Sequence, residues 1–538
     1  MGKTPRFDKY TRLLARFYET SLLLGQLGKA HGPRYQLLYA SSDPGDTRRR
    51  FLQNLAFICD FKKGGISTTA VAVENTDECY KFWVASNGVS HKIVPFLREV
   101  LQRLGRVVQL STDEHDAMEA ELGQRCIQFA QDRLKKEARL FFAFVDKALS
   151  GLEASRAHDD DGQSTPFSLS RRLSCCKTLT LTRSIHVYKD SELASWIREF
   201  RDWPKDDDFQ VCSLAYQATR HAMMHKLNLR VKENTSQQTF DLTTLRHRLG
   251  RLAAHVSAVK HLVSDATRLQ PPMLDVFEVH QVPLREATQP PVADGLTTLP
   301  SILKRMGVDD AGRLELESCL MTLNHSLDIE AKMQATLNDA KFKTQIHAEV
   351  QLLDHFHLEM LRFVDNDRFV ACSKPACWCC FLYFGHHPAK PVKPETNGNL
   401  HEKWGFMVAR GADDAAWHEQ RGILIKMIHE MRDVALSKMR TIAGPRWDFP
   451  DSFSGITPSE PASHLDDDDD CSEEDDDESN VTSVGVLSTL SSTSLEDFDS
   501  TPVASSPDSE TGEEFDLNTG LDSKQGTRLF ELQGRELK

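Results

Sequence analysis

Two short clusters constrain this 538-residue chain more than anything else in it: His347-Ala348-Glu349 and, after a gap of 27 residues, Cys377-Trp378-Cys379-Cys380. An imidazole and two thiolates suit zinc, and cysteines three apart share one helix face and can reach the same ion. Cys379 points about 100° around such a helix, so together with Cys372 it reads as a packing residue. Three protein ligands leave a fourth coordination position open, which is the mark of a catalytic rather than a structural zinc site. Glu349 follows the histidine by two positions and is placed to carry a proton. Any fold for this chain must therefore bring these two segments together. The apolar spacing of Val350, Leu352, Leu353, Phe356 and Met360 predicts a helix running on from Gln345, and Arg368 to Cys372 reads as a buried strand.

His-x-Glu followed by Cys-x-x-Cys is the layout of zinc-dependent nucleobase deaminases, in which the glutamate transfers protons without binding the metal. Three stretches, HAE, ACSKPACWCCFLYFGHHP and TNGNLHEKWGF, resemble the predicted nucleic-acid deaminases of the cytidine-deaminase-like superfamily that are widespread in fungi. The resemblance is strong from Thr344 to Phe406 and looser over 301–451. It implies a three-layer α/β/α domain with Zn2+ between two helix N-termini. It also implies His347, Cys377 and Cys380 as ligands, Glu349 as general acid/base, and Pro375 near the carbonyl that receives the substrate's amine. Two departures stand out. Ala376 separates Pro375 from the first cysteine, where the superfamily places proline next to it. The β-hairpin expected before the first ligand helix is not evident, since Leu314 to Ala340 reads as helix, although Val276 to Val282 can supply a strand from farther upstream.

The rest of the chain reads as a helical region over 1–150, a polar linker over 151–175, a second helical region over 176–284, a linker over 285–300, the zinc domain over 301–450 and an acidic tail over 451–538. Asp116 to Leu152 is rich in helix formers. Leu242, Leu245, Leu249, Leu252, Val256, Val259 and Val263 form one apolar seam, best read as the inner face of an intramolecular bundle. The tail holds 24 acidic and four basic residues, a net of −20, so the chain's −14 leaves +6 for 1–450. Its composition predicts disorder. No segment carries the basic stripe of a dedicated nucleic-acid binder. No apolar run is long enough to span a membrane, and adjacent cysteines without a signal segment point to a reducing compartment, so the expected home is intracellular, cytoplasmic or nuclear.

The function expected from these readings is hydrolytic deamination of cytosine or adenine, in single-stranded nucleic acid or in a nucleoside. Protein partners would meet the helical region and the tail. A deaminase-fold binding or regulatory module without useful turnover, and an enzyme for free nucleosides or nucleotides, stay open beside it.

Overall fold

The computed structural model describes residues 7–441 apart from 29–30, 40–42, 89–90, 108, 162–190, 234–236, 270–271, 308–309 and 409–414. The acidic tail and most of the 151–175 linker lie outside the described residues. The described chain is mostly helical around a small mixed sheet.

That sheet has four strands, β1 (Thr69–Asn75), β2 (Tyr80–Ser86), β3 (Phe277–Gln281) and β5 (Ala371–Cys372), in the order β3-β2-β1-β5. β1 and β2 form an antiparallel hairpin in which Val71 faces Val84 and Val73 faces Phe82. β3 adds parallel to β2, and β5 adds antiparallel to β1 through Ala70 opposite Cys372. A second pair, β4 (Gln345–Ile346) with β6 (Trp404–Gly405), is parallel.

The hairpin corrects the sequence reading twice. Residues 1–150 are not purely helical, and the hairpin missing from just before the first ligand helix is present, over 250 residues upstream. Alternation fixes what it does. Ala70, Ala72 and Ala85 point to one core, while Val71, Val73, Phe82 and Val84 point to another, as successive strand residues must.

The first core joins the alanine face to the helices Ala348–Leu358 and Trp378–His386, to the helix Ala415–Arg440 and to the N-terminal helix Lys9–Gln26. Phe17, Tyr18 and Leu22 of that N-terminal helix are 1% exposed or less. Behind the valine face lie the helices Pro44–Cys59 and Ile93–Val107. The helix Gln237–Ala266 carries the predicted seam and ties the second core to a third. Leu242 to Leu252 enter a helical bundle, and Val259 and Val263 reach the sheet side.

Other boundaries move by a few residues. Asp116 to Leu152 divides into Thr112–Phe129 and Gln131–Asp161, so the helix continues past the expected start of the linker at 151. Leu314 to Ala340 breaks at Asp328, whose φ of 51° is a left-handed conformation that aspartate tolerates. Residues 285–300, expected as a linker, pack against the ligand region: Ala287 bridges Met407, and the Thr288 N–H donates to the Phe406 carbonyl at 2.8 Å.

Candidate metal centre

His347 is the N-cap of the helix Ala348–Leu358, and Cys377 is the N-cap of the helix Trp378–His386. The expected helix from Gln345 thus starts three residues later, because Gln345 and Ile346 are taken up by β4. That pairing sets Trp404 and Gly405 beside the ligand histidine. Hairpin residues fix the same corner. The Ala348 N–H donates to Asn87 Oδ1 at 2.7 Å, and Gln351 Nε2 donates to the carbonyls of Ile346 and Ser86.

The second ligand segment is pinned by the loop 395–399. Ala376 N–H donates to the Glu395 carbonyl at 2.7 Å, the Ala376 carbonyl accepts from Thr396 Oγ1 at 2.7 Å, and Trp378 N–H donates to the Asn399 carbonyl at 2.7 Å. Residues 31–35 strap over this loop. The N–H groups of His31 and Gly32 both donate to the Gly398 carbonyl, and Tyr35 pairs with Thr396. Glycine is required at 398, where φ is +73° and a Cβ would meet the Gly32 carbonyl oxygen at 2.3 Å.

These constraints bring the three predicted ligands together. His347 Nδ1 lies 3.6 Å from Cys377 Sγ and 3.3 Å from Cys380 Sγ, and the two sulfurs are 3.5 Å apart. With Zn–S near 2.3 Å and Zn–N near 2.0–2.1 Å, the edges of a tetrahedron come to roughly 3.8 Å for S···S and 3.6 Å for S···N. The donor set therefore fits zinc in both chemistry and spacing. Among the described residues it is the one group of three or more such side chains close enough to hold a metal.

Burial and the neighbouring groups move the three side chains in different directions. Burial pushes the Cys377 thiol up, but hydrogen bonds from Cys379 and Cys380 and the His347 charge outweigh it and bring it well below the usual thiol range. Burial pushes the His347 imidazole down, and the Cys377 charge overcomes that and raises it. Cys380 is raised by burial and by Cys377.

Glu349 is buried beside the ligands at 3% exposure. Cys372, at the end of β5, donates its thiol to Glu349 Oε2 at 3.6 Å; burial, and then the Glu349 charge, hold that thiol far above its ordinary range. Cys379 is fully buried and outside the metal cluster. Pro375 is buried between β5 and Cys377, and among the described residues nothing donates to its carbonyl, whereas the Ala376 carbonyl is occupied by Thr396. The histidines near the motif do other work. His355 packs on Trp83, His357 and His386 pair with Glu419 and Glu430, and His387 lies 3.4 Å from Asp354.

Sequence reasoning missed three contributors. Asn87 lies on the distant hairpin, Cys372 reads as packing, and Trp404 reads as core. Trp404 is indeed 1% exposed against Phe17 and Phe406, yet its Nε1–H also donates to Cys380 Sγ at 3.1 Å. No local periodicity marks such a contact.

Residues 346–407 match the family model described as OTT_1508_deam-like deaminase. The match spans both ligand segments, Glu349 and Trp404. No curated protein and no solved structure gives a match.

Proposed function

We propose that this protein is a zinc-dependent hydrolytic deaminase acting on cytosine or adenine in single-stranded nucleic acid. The observation that carries the reading is the tetrahedral spacing of His347, Cys377 and Cys380 with a buried, non-ligand carboxylate alongside. On this reading the sheet and the helices on its two faces form the three-layer domain that the resemblance implies.

His347, Cys377 and Cys380 would hold Zn2+, which supplies a Lewis acid that makes water nucleophilic at neutral pH. Glu349 takes a proton from the attacking water and hands protons on. One reaches the ring nitrogen beside the reacting carbon, and the other leaves with the exocyclic amine as ammonia. The water's oxygen stays on the ring carbon as a carbonyl, so atoms and charge balance. Cys372 orients Glu349 by donating to Oε2, and the Pro375 carbonyl accepts from the substrate's amine. Burial of Glu349, Cys377 and Cys380, with His347 half-buried beside them, limits bulk water, which strengthens each of these interactions.

Turnover of oligonucleotides and of matched free nucleosides, read by mass change, tests the proposal. Single strands should be deaminated faster than nucleosides, with apparent affinity weakening as salt rises. Glu349→Gln should keep zinc and fold while losing at least the ~100-fold typical of a general acid/base. Full activity in Glu349→Gln would refute the mechanism, and turnover of nucleosides with none of oligonucleotides would refute the substrate class.

A further inference from the structure

A half-open cavity of about 680 Å³ lies at the opposite end of the first ligand helix. The ten steps from Ala348 to Leu358 put it about 15 Å along the helix from the metal centre, at 1.5 Å per residue. Its volume is that of a small-molecule site rather than a packing defect.

The backbone around it is unusual. Five described non-glycine residues have positive φ, and three of them, Met360, Asp365 and Asn366, line this cavity; a fourth, Lys390, adjoins the lining residue Ala389. Met360 is the sharpest case. It occupies the left-handed position after the helix, where Leu361 N–H donates to the Phe356 carbonyl and Met360 N–H to the His357 carbonyl, a turn that normally carries glycine. Its side chain stands 85% exposed on the rim. A fold that keeps a strained, solvated methionine there gives up stability, and strain of this kind clusters at ligand sites.

The lining supplies a specific chemistry. Phe363 stacks on the buried Phe356 with ring centroids 4.2 Å apart, a flat aromatic floor. Arg362 and Arg368 bring two guanidinium groups, Arg362 through an exposed pair with Asp77 at 2.9 Å and Arg368 with one nitrogen on the Ala389 carbonyl, while the one lining carboxylate, Asp365, is held by Arg48 at 2.5 Å. The carboxamides of Asn75 and Asn366 have no hydrogen-bond partner among the described residues. Guanidinium groups suit phosphate, aromatic faces suit bases, and carboxamides suit base edges.

We infer that this cavity binds a nucleoside phosphate, with the base between Met360 and Phe363 and the phosphate on Arg362 and Arg368. The ligand is either a free nucleotide or one unit of a strand. The inference does not depend on deaminase activity, because the cavity shares no side chain with the metal centre.

Calorimetric titration of the zinc-loaded full chain, in a Glu349→Gln background that stops any turnover, tests it. The probes are cytidine and adenosine 5′-monophosphates, the matching nucleosides, inorganic phosphate and a short single-stranded oligonucleotide. A monophosphate should bind at least tenfold more tightly than its nucleoside or than phosphate, as expected when charge-assisted hydrogen bonds and stacking are both required. Met360→Gly should relieve the strained turn and leave melting unchanged or raised, and Arg362→Gln removes only an exposed pair with Asp77. Each should nevertheless weaken the monophosphate about tenfold with zinc content intact. Stronger binding of the oligonucleotide, lost in the same variants, assigns the site to a strand; the reverse order assigns it to a free nucleotide. Parent-like affinity in both variants, or nucleosides binding as well as monophosphates, overturns the inference.

Discussion

Trp404 touches the candidate metal centre through a single atom, the Nε1–H that reaches Cys380 Sγ, while its ring fills the core between Phe17, Tyr383 and Phe406. Trp404→Phe removes the donor and keeps most of the packing. Zinc affinity should fall about 10–100-fold, the usual effect of losing a hydrogen bond to a ligand, as read by competition with a chelating dye. The ligands themselves give a sharper pattern. Cys377→Ser and Cys380→Ser should nearly abolish zinc binding, and Cys379→Ser, whose sulfur lies outside the cluster, should retain one zinc per chain by elemental analysis. Full zinc in Cys380→Ser would show that another donor completes the site. The candidate ligands and Glu349 were legible in the sequence because their spacing is local: the carboxylate stands two positions after the histidine, and the two thiols stand three positions apart. The hydrogen bonds of Trp404, Asn87 and Cys372 were not, because each joins the site from a segment whose own pattern concerns packing.

Among the elements, the strap 31–35 and the loop 395–399 hold the second ligand segment from outside, and Glu395 opens that loop. Its carboxylate accepts from the Leu37 N–H at 3.2 Å, but burial dominates and pushes its pKa up from 4.5 to about 7. Between those values the folded chain keeps a proton that the unfolded chain releases. The associated stability is therefore complete below pH 4.5, falls as pH rises, and is gone once pH passes 7. Glu395→Gln removes that slope. Denaturant midpoints of parent and variant, compared from pH 5 to pH 8, should show the parent losing ground to the variant as pH rises; parallel curves would mean that Glu395 is solvated. The hairpin is the element that the sequence concealed. Its outer face alternates legibly through Val71, Val73, Phe82 and Val84, but its inner face combines Trp83 with Ala70, Ala72 and Ala85, small residues that dilute a period-two signal and favour helix by propensity. Those alanines keep the sheet close to the ligand helix, with Trp83 packed against His355 beside them.

At the scale of the whole molecule, the chemistry-bearing motif is compact in sequence and its support is not. A zinc domain drawn as 301–450 contains every ligand, yet its central sheet would keep only β5, because β1, β2 and β3 come from residues 69–86 and 277–281. It would also lose the helix Lys9–Gln26, whose Leu14, Phe17, Tyr18, Leu22, Leu23 and Leu24 are buried in the same core as Trp378, Cys380 and Trp404. At about 1.5–3 kcal/mol for each buried apolar side chain, those six alone contribute on the order of 10 kcal/mol. That matches the whole 5–15 kcal/mol by which domains are usually stable, before the unpaired edge of β5 is counted. A fragment spanning 301–454 should therefore fail to fold and bind no zinc, whereas a chain from Met1 that ends at Ser454 should match the full protein in melting behaviour and metal content. Expressing both and measuring zinc by elemental analysis decides the matter. A soluble 301–454 fragment carrying one zinc would mean that the hairpin and the N-terminal helix are additions to a domain already complete, and its failure beside an intact 1–454 chain would mean that the metal centre is a product of the whole N-terminal four-fifths of the protein.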